Sequence, residues 1–253
     1  DAATNPSPVS TAEAHEAVFP DAATKVFFRR ALSDMASESV TVRVSAVRIL
    51  GGIRHELSLR VLLAQLACEP SSQVRRECIQ ALTALEAKAG LPAIERALMD
   101  GAVAVRLAAV RGLYRLAGAK SVPALTRMLS DDDDEVRRRA ATCLGWLGRE
   151  ESAVILLPLL ADPSVAVRHA AIEALANLRS PSVVAALIER LNDSERSIQK
   201  AALSAIEILT GKRMGESSLG DEESRARLIA RWRTWCTDNE PRTDRTLTAS
   251  SSV

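Results

Sequence analysis

Apolar positions recur along this chain at helical spacing, and the pattern itself repeats. A branched aliphatic stands at Val42, Val74, Val105, Val136, Val167 and Ile198. Four residues later comes a small side chain (Ala46, Cys78, Ala109, Ala140, Ala171, Ala202), and eight later a Leu or Ile (Leu50, Leu82, Leu113, Leu144, Leu175, Ile206). Eleven later the series runs Ile53, Leu85, Leu116, Leu147, Leu178, Leu209. These offsets fall on one stripe of a 3.6-residue helix and cannot share one face of a strand.

Directly after the aliphatic stands Arg43, Arg75, Arg106, Arg137 or Arg168, at steps of 32, 31, 31 and 31 residues, and Gln199 continues the beat 31 further on. A period of this size predicts an array of helical repeats. We take this residue as position 0 of its repeat, on helix B. Twelve residues earlier stands Leu63, Ile94, Leu125, Leu156 or Leu187, and in the last four of these repeats another Leu follows four on (Leu98, Leu129, Leu160, Leu191). This second stripe predicts a helix A that folds back on helix B as a hairpin. Six residues before position 0 stands Ser37, Glu69, Asp100, Asp131, Asp162 or Asp193, a residue type that accepts hydrogen bonds from the free amides at a helix start. Because acid and arginine each recur once per repeat, stacking predicts a ladder of Asp–Arg pairs along the turns. Such pairs are modest in stability value where exposed and serve mainly to fix register.

The ends break the pattern. Residues 1 to about 20 carry Pro6 and Pro8 among Ser and Thr without periodicity and read as a flexible arm. A first helix is predicted from about Ala22 to Met35, with Phe27, Phe28 and Ala31 as apolar contacts. Leu209, Thr210, Gly211 and Gly215 end the last helix B, and a final helix from about Glu222 to Thr237 gathers Leu228, Ile229, Trp232, Trp235 and Cys236 on one face. That helix is expected to cover the open end of the array, because a solenoid needs capped ends. The Ser/Thr-rich residues after Pro241 read as a disordered tail. The resulting division is an arm (1–20), a repeat array (21–211), a loop and capping helix (212–240) and a tail (241–253).

Composition narrows the function classes. The chain is 47% hydrophobic but 3% aromatic, so its core is built from Ala, Leu and Val, which suits close helix stacking. With 33 basic and 32 acidic residues the net charge of +1 gives no global attraction to nucleic acid or anionic membrane, so any electrostatic role is local. No apolar run approaches the roughly 18 residues of a membrane span. Cys68, Cys78, Cys143 and Cys236 show no metal-binding or disulfide spacing, and the two middle ones fall on core positions. They read as reduced structural residues, as in a cytoplasmic protein.

The stretches Asp162–Leu178 (DPSVAVRHAAIEALANL) and Asp131–Gly148 (DDDDEVRRRAATCLGWLG) resemble the HEAT-repeat superfamily, specifically the short bacterial HEAT-like repeats of the phycobilisome-lyase type. The resemblance spans about residues 26 to 210. It implies an all-α, armadillo-type fold: a right-handed α-solenoid of about six helical hairpins, with helix B lining the concave side and a C-terminal capping helix. It implies little about activity, because such solenoids host many unrelated functions.

With helix B on the inside, positions +1, +5 and +8 are expected to face the concavity. They bring Arg48, Arg76, Arg111 and Arg138 onto the first four repeats and His169 and Lys200 onto the last two, where Glu173 and Glu207 also fall. Tyr114 lies on this face, and Trp146 lies at its flank beside Arg115 and Arg139. Exposed Tyr, Trp and Arg are the types over-represented at binding hot spots. The candidate partner-binding set is therefore Arg48, Arg76, Arg111, Tyr114, Arg115, Arg138, Arg139, Trp146 and His169. Its expected occupant is an acidic segment or helix of a protein partner, bound by a monomeric, non-enzymatic scaffold without metal or cofactor.

Three alternatives bear on that reading. Deoxyhypusine hydroxylases resemble this architecture and hold a di-iron centre with several His–Glu dyads, whereas here His55–Glu56 stands alone and His169 precedes Ala170. HEAT-like DNA glycosylases are similar in having a basic, aromatic-bearing concavity, but their catalytic Asp has no counterpart in the three columns; non-catalytic nucleic-acid binding through Arg48, Arg76, Arg111, Arg138 and Lys200 stays open. The lyase resemblance implies a third role, chaperoning a tetrapyrrole onto a protein.

Overall fold

The computed structural model describes residues 9–149, 151–214 and 219–239, all of them helical or in turns and loops. The chain divides into two compact units, Asp1–Leu147 and Gly148–Val253. The first contains α1 (Thr11–Glu16), α2 (Ala22–Asp34), α3 (Val40–Gly52), α4 (Glu56–Cys68), α5 (Ser72–Ala84), α6 (Leu91–Arg96), α7 (Val103–Ala117), α8 (Val122–Arg127) and α9 (Asp134–Leu147). The second contains α10 (Ser152–Leu156), α11 (Val165–Leu178), α12 (Val184–Glu189), α13 (Arg196–Thr210) and α14 (Glu222–Asn239).

Helix A packs on helix B within each hairpin, as in α4 on α5, α6 on α7 and α12 on α13. Successive B helices then pack side by side: α3 on α5, α5 on α7 and α7 on α9 in the first unit, and α11 on α13 in the second. The predicted stripe is the core. Val74, Val105, Val136, Val167 and Ile198 are buried, as are all six small residues and all six aliphatics four beyond them. The last stripe position is half-buried in most repeats, at the frayed end of the helix. Small residues set the close approach: a Cβ added at Gly51 would sit 2.8 Å from that of Ala81 on the next B helix.

Helix A is less regular than its sequence stripe. Prolines in the first turn, Pro92 and Pro123, start α6 and α8, and each helix closes in a tighter 3₁₀ turn. The hairpin containing α4 differs, because α4 is an uninterrupted 13-residue helix. There the fully buried residue is Leu62, and the expected Leu63 is half-buried. The extra residue behind the single 32-residue step thus shifts the register of that helix by one.

The turns carry the ladder. Arg43 grips Glu69 through two hydrogen bonds (3.0 and 2.7 Å), Arg75 grips Asp100 (2.7 and 2.8 Å) and Arg106 grips Asp131 (2.8 and 2.7 Å); in the second unit Arg168 donates to Asp193 at 2.9 Å. The remaining Nη of each of these arginines donates to a main-chain carbonyl six residues upstream, on Ser37, Glu69, Asp100 or Asp162, at 2.8–3.0 Å. Each acid in turn accepts the amide two residues on, from Ser71, Ala102, Asp133, Ser164 or Glu195, at 2.9–3.0 Å. The acids thus close Asx-type turns just ahead of helix B rather than capping its first amides. These pairs are largely buried, so the small value of an exposed pair does not apply to them. The acid side chains are 0–13% accessible and their arginines 10–20%.

The ends of the ladder explain its two exceptions. In the last repeat the uncharged Gln199 replaces the arginine and keeps the main-chain bond, Nε2 to the Asp193 carbonyl at 2.7 Å. The first turn has no arginine behind it, and Ser37 stands where an acid would be.

Two expectations about the N-terminus change. Part of the segment read as an arm is folded: α1 has a complete capping box between Ser10 and Glu13, Val9 and Ala14 are buried, and Glu13 pairs with Arg60 of α4 at 2.5 Å. Residues 1–8 lie outside the described residues, as does the segment read as a tail. Phe28 is buried, but Phe27 is 59% exposed. Phe19 and Phe28 instead cluster with His55, whose Nδ1 caps α4 through the Leu57 amide at 3.1 Å. That use of Phe19 was not legible from helical spacing, because it precedes the first helix of the array. At the other end, α14 packs on α12 through buried Trp232 and Leu228, with Arg233 paired to Glu189 at 2.8 Å.

Candidate functional site

The open strip of the B helices is narrower than expected. Neighbouring B helices flank each one, so position +1 is buried at Val44 and half-buried at Arg76, Leu107, Arg138 and His169. Position +8 is buried at Thr83 and Gly145 and half-buried at Tyr114. The exposed positions are +5 (Arg48, Gln80, Arg111, Glu173, Ser204) and +9 (Gly52, Ala84, Arg115, Trp146, Asn177, Ile208), with Thr142 half-buried. Position +9 was read as a flank; it belongs to the open strip.

The sequence reading also missed how these residues pair. Arg48 at +5 donates to Glu77 at +2 of the next B helix, at 2.8 and 3.3 Å. Arg138 is bound within its own helix by Glu135, at 2.6 and 2.5 Å. Both arginines are therefore neutralised by the chain itself, and the basic band expected across four repeats does not persist as one. The missing signal was the +2 column, which reads Ser45, Glu77, Ala108, Arg139, Ala170, Ala201 and supplies the partner to the preceding +5 residue.

What stays open lies on α7 and α9. The Tyr114 and Trp146 rings meet with centroids 5.7 Å apart and planes tilted by 52°, and Trp146 remains 56% exposed. Arg111 and Arg115 project from α7, which carries no acidic residue. Arg139 reaches Glu135 only at 3.6 Å, and its Nε is buried without a hydrogen-bond acceptor, as is that of Arg76 on α5. Cys143 lies beneath this group. Burial pushes its thiol up to about 11, against the pull of the Arg139 and Arg111 charges. Cys78 is raised further by burial, so neither core thiol is a reactive thiolate at neutral pH. His169 belongs to the second unit, where it faces Glu173 at 3.7 Å.

Among the described residues no group of three or more His, Cys, Asp or Glu is placed to hold a metal ion, and no helix is long and apolar enough to cross a membrane. The strip carries guanidinium groups, an exposed indole and a half-buried phenol ring.

Comparison with known proteins agrees with this architecture. A family model described as HEAT repeats matches residues 92–164 and 153–239. Among solved structures, YibA of E. coli superposes with a TM-score of 0.59 at 18% identity, over 82% of each chain. The CpcE–CpcF complex of phycocyanin lyase from Nostoc sp. PCC7120 gives 0.50 at 18% identity, over 87% of this chain and 97% of that one. A designed armadillo repeat protein in complex with the peptide (KR)4 gives 0.51 at 19%, over 71% and 98%. Comparison with curated protein sequences gives no match.

Proposed function

The chain belongs to the HEAT-repeat family, and from that premise we propose that it is a non-enzymatic interaction module whose protein partner docks on the exposed strip of α5, α7 and α9. An array of HEAT type suits such a role, because it presents a long row of side chains on a rigid frame. The observation that carries the reading is Trp146. In a chain with 3% aromatic residues, a 56% exposed Trp leans on Tyr114, on the two helices that also carry Arg111, Arg115 and Arg139. An indole in water contributes nothing to the core, and Trp, Tyr and Arg in one cluster are the types that dominate interface energetics.

Nucleic-acid binding by the same strip finds less support. Tracking a phosphate backbone takes several unpaired cations in a row, and Arg48 and Arg138 are engaged by Glu77 and Glu135. The run Asp131–Glu135 at the start of α9 repels a polyanion. A tetrapyrrole-handling role rests on likeness of fold alone.

Affinity capture from nuclease-treated native lysate tests the proposal, comparing wild type with Trp146→Ala/Arg115→Glu and with Arg48→Ala as control. A protein held by wild type and the control but lost from the double variant is the expected result. Identical captures from all three proteins would refute docking on this strip.

A further inference from the structure

Within the first unit the repeat register sets each +5 residue opposite the +2 residue of the next B helix. Between α3 and α5 the two are Arg48 and Glu77, and they form an ion pair at 2.8 Å. Between α5 and α7 they are Gln80 and Ala108. Between α7 and α9 they are Arg111 and Arg139, two guanidinium groups where the equivalent position closes on an acid. The contact between Tyr114 of α7 and Trp146 of α9, with ring centroids 5.7 Å apart, shows that these two helices pack side by side at this level.

Arg139 shares its acid with a second arginine, and α7 carries none for Arg111. Glu135 is engaged by both nitrogens of the Arg138 fork and stands 3.6 Å from Arg139. The Arg139 Nε is buried and has no acceptor. A guanidinium standing where the equivalent register supplies an acid leaves positive charge that an external anion can balance. Immediately beside it lies the tilted Tyr114–Trp146 pair.

We propose that the slot between Arg111 and Arg139 receives the side-chain carboxylate of an Asp or Glu in a partner polypeptide, while the Tyr114–Trp146 pair holds an apolar residue next to it. The proposal rests on the docking reading above and sharpens it to a chemical class. A guanidinium fork matches a carboxylate through two parallel hydrogen bonds, and the second arginine supplies the counter-charge. One anionic slot beside one aromatic shelf suits an acidic-apolar peptide. It does not suit a phosphate backbone, which presents a charge at every step.

Selection from a random peptide display library tests this, using wild type, Trp146→Ala, Arg111→Gln/Arg139→Gln and Arg139→Glu. Peptides selected by wild type are expected to carry Asp or Glu next to Leu, Phe or Trp. Their affinity is expected to fall about tenfold or more in Arg111→Gln/Arg139→Gln, as for loss of a charged hydrogen bond. Arg139→Glu should lose them as well while staying folded, because it rebuilds the Arg48–Glu77 pair inside the chain and fills the slot from within. Selected peptides that depend on Trp146 but show no acidic preference and ignore the arginine variants would overturn the slot and leave the docking reading standing. Peptides indifferent to Trp146, or none selected, would overturn both. A single-stranded oligonucleotide that displaces the selected peptides at physiological salt would also overturn the proposal.

Discussion

Arginine serves two opposite purposes on two sides of the B helices in the first unit. On the turn side Arg43, Arg75 and Arg106 are saturated: each binds a carboxylate with two nitrogens and a carbonyl with the third, at 11–20% accessibility. On the strip side the arginines are irregular: closed at Arg48 and Arg138, held only by a longer contact to a shared Glu135 at Arg139, and given no acid by their own helix at Arg111 and Arg115. A residue that repeats in every unit, always with the same partners, serves the stacking. A residue that departs from the repeat, and whose partner position departs with it, is not explained by stacking. The place to look for function in a repeat protein is therefore where the register continues and the chemistry changes.

The largest expected effect comes from breaking the regular side. Asp100→Ala strips Arg75 of its carboxylate in a largely buried turn and also leaves the Ala102 amide without its acceptor. Removing one member of a buried pair costs roughly 3–5 kcal/mol, and the partial exposure of Arg75 puts this case toward the low end. Chemical denaturation of wild type and variant measures it. A loss below about 1 kcal/mol, the value of an ordinary surface pair, would mean the ladder is ornamental rather than structural.

The same side gives a pH dependence. The Arg75 hydrogen bond and charge hold the Asp100 carboxyl below its ordinary 3.8, although burial opposes them. A carboxylate whose folded-state pKa is depressed adds stability that is fully present above its unfolded value. That stability is lost as pH falls through the folded value. Thermal stability is therefore expected to be flat near neutrality and to fall below about pH 4. Asp100→Asn, which keeps an acceptor but no charge, should be less stable at pH 7 and lose less on acidification. Parallel curves for the two proteins would show that this carboxylate does not contribute to acid sensitivity.

Much of the regular side was legible before any coordinates. Period, stripe and hairpin follow from residue spacing because a helix has a fixed geometry, and the ladder follows from two residue types recurring once per repeat. Its burial did not follow, since spacing says nothing of how deep a turn sits. On the strip side the residue types were legible and their relations were not. Arg48 and Arg138 read as free cations because Glu77 lies in the next repeat and Glu135 one helical turn back, and only packing shows which acid reaches which arginine. The open face was also drawn too wide, since position +8 at Thr83 and Gly145 disappears between neighbouring helices. The Arg111–Arg139 pair needed both the register and the neighbour, so no single column of the sequence contained it.

The smallest expected effect is the sharpest test of the comparison, because its sign is unusual. Arg139→Glu places an acid opposite Arg111 in the register where Arg48 meets Glu77. In that register the change replaces two like charges with an ion pair, an expected gain of about 0.2–1 kcal/mol for an exposed pair. Against it stands the loss of the long Arg139–Glu135 contact and a new Glu–Glu repulsion one turn apart, about 0.2–0.5 kcal/mol. The net expectation is a slight stabilisation, seen as a rise of up to a few degrees in the thermal midpoint for a chain of this size, roughly 2–4 °C per kcal/mol. The gain should vanish in an Arg111→Ala background, which a double-mutant cycle isolates. Destabilisation that persists in that background would mean Arg139 packs for the fold. A stabilising substitution that abolishes peptide binding would mean the chain keeps two arginines together, against its own electrostatics, for the sake of what they bind.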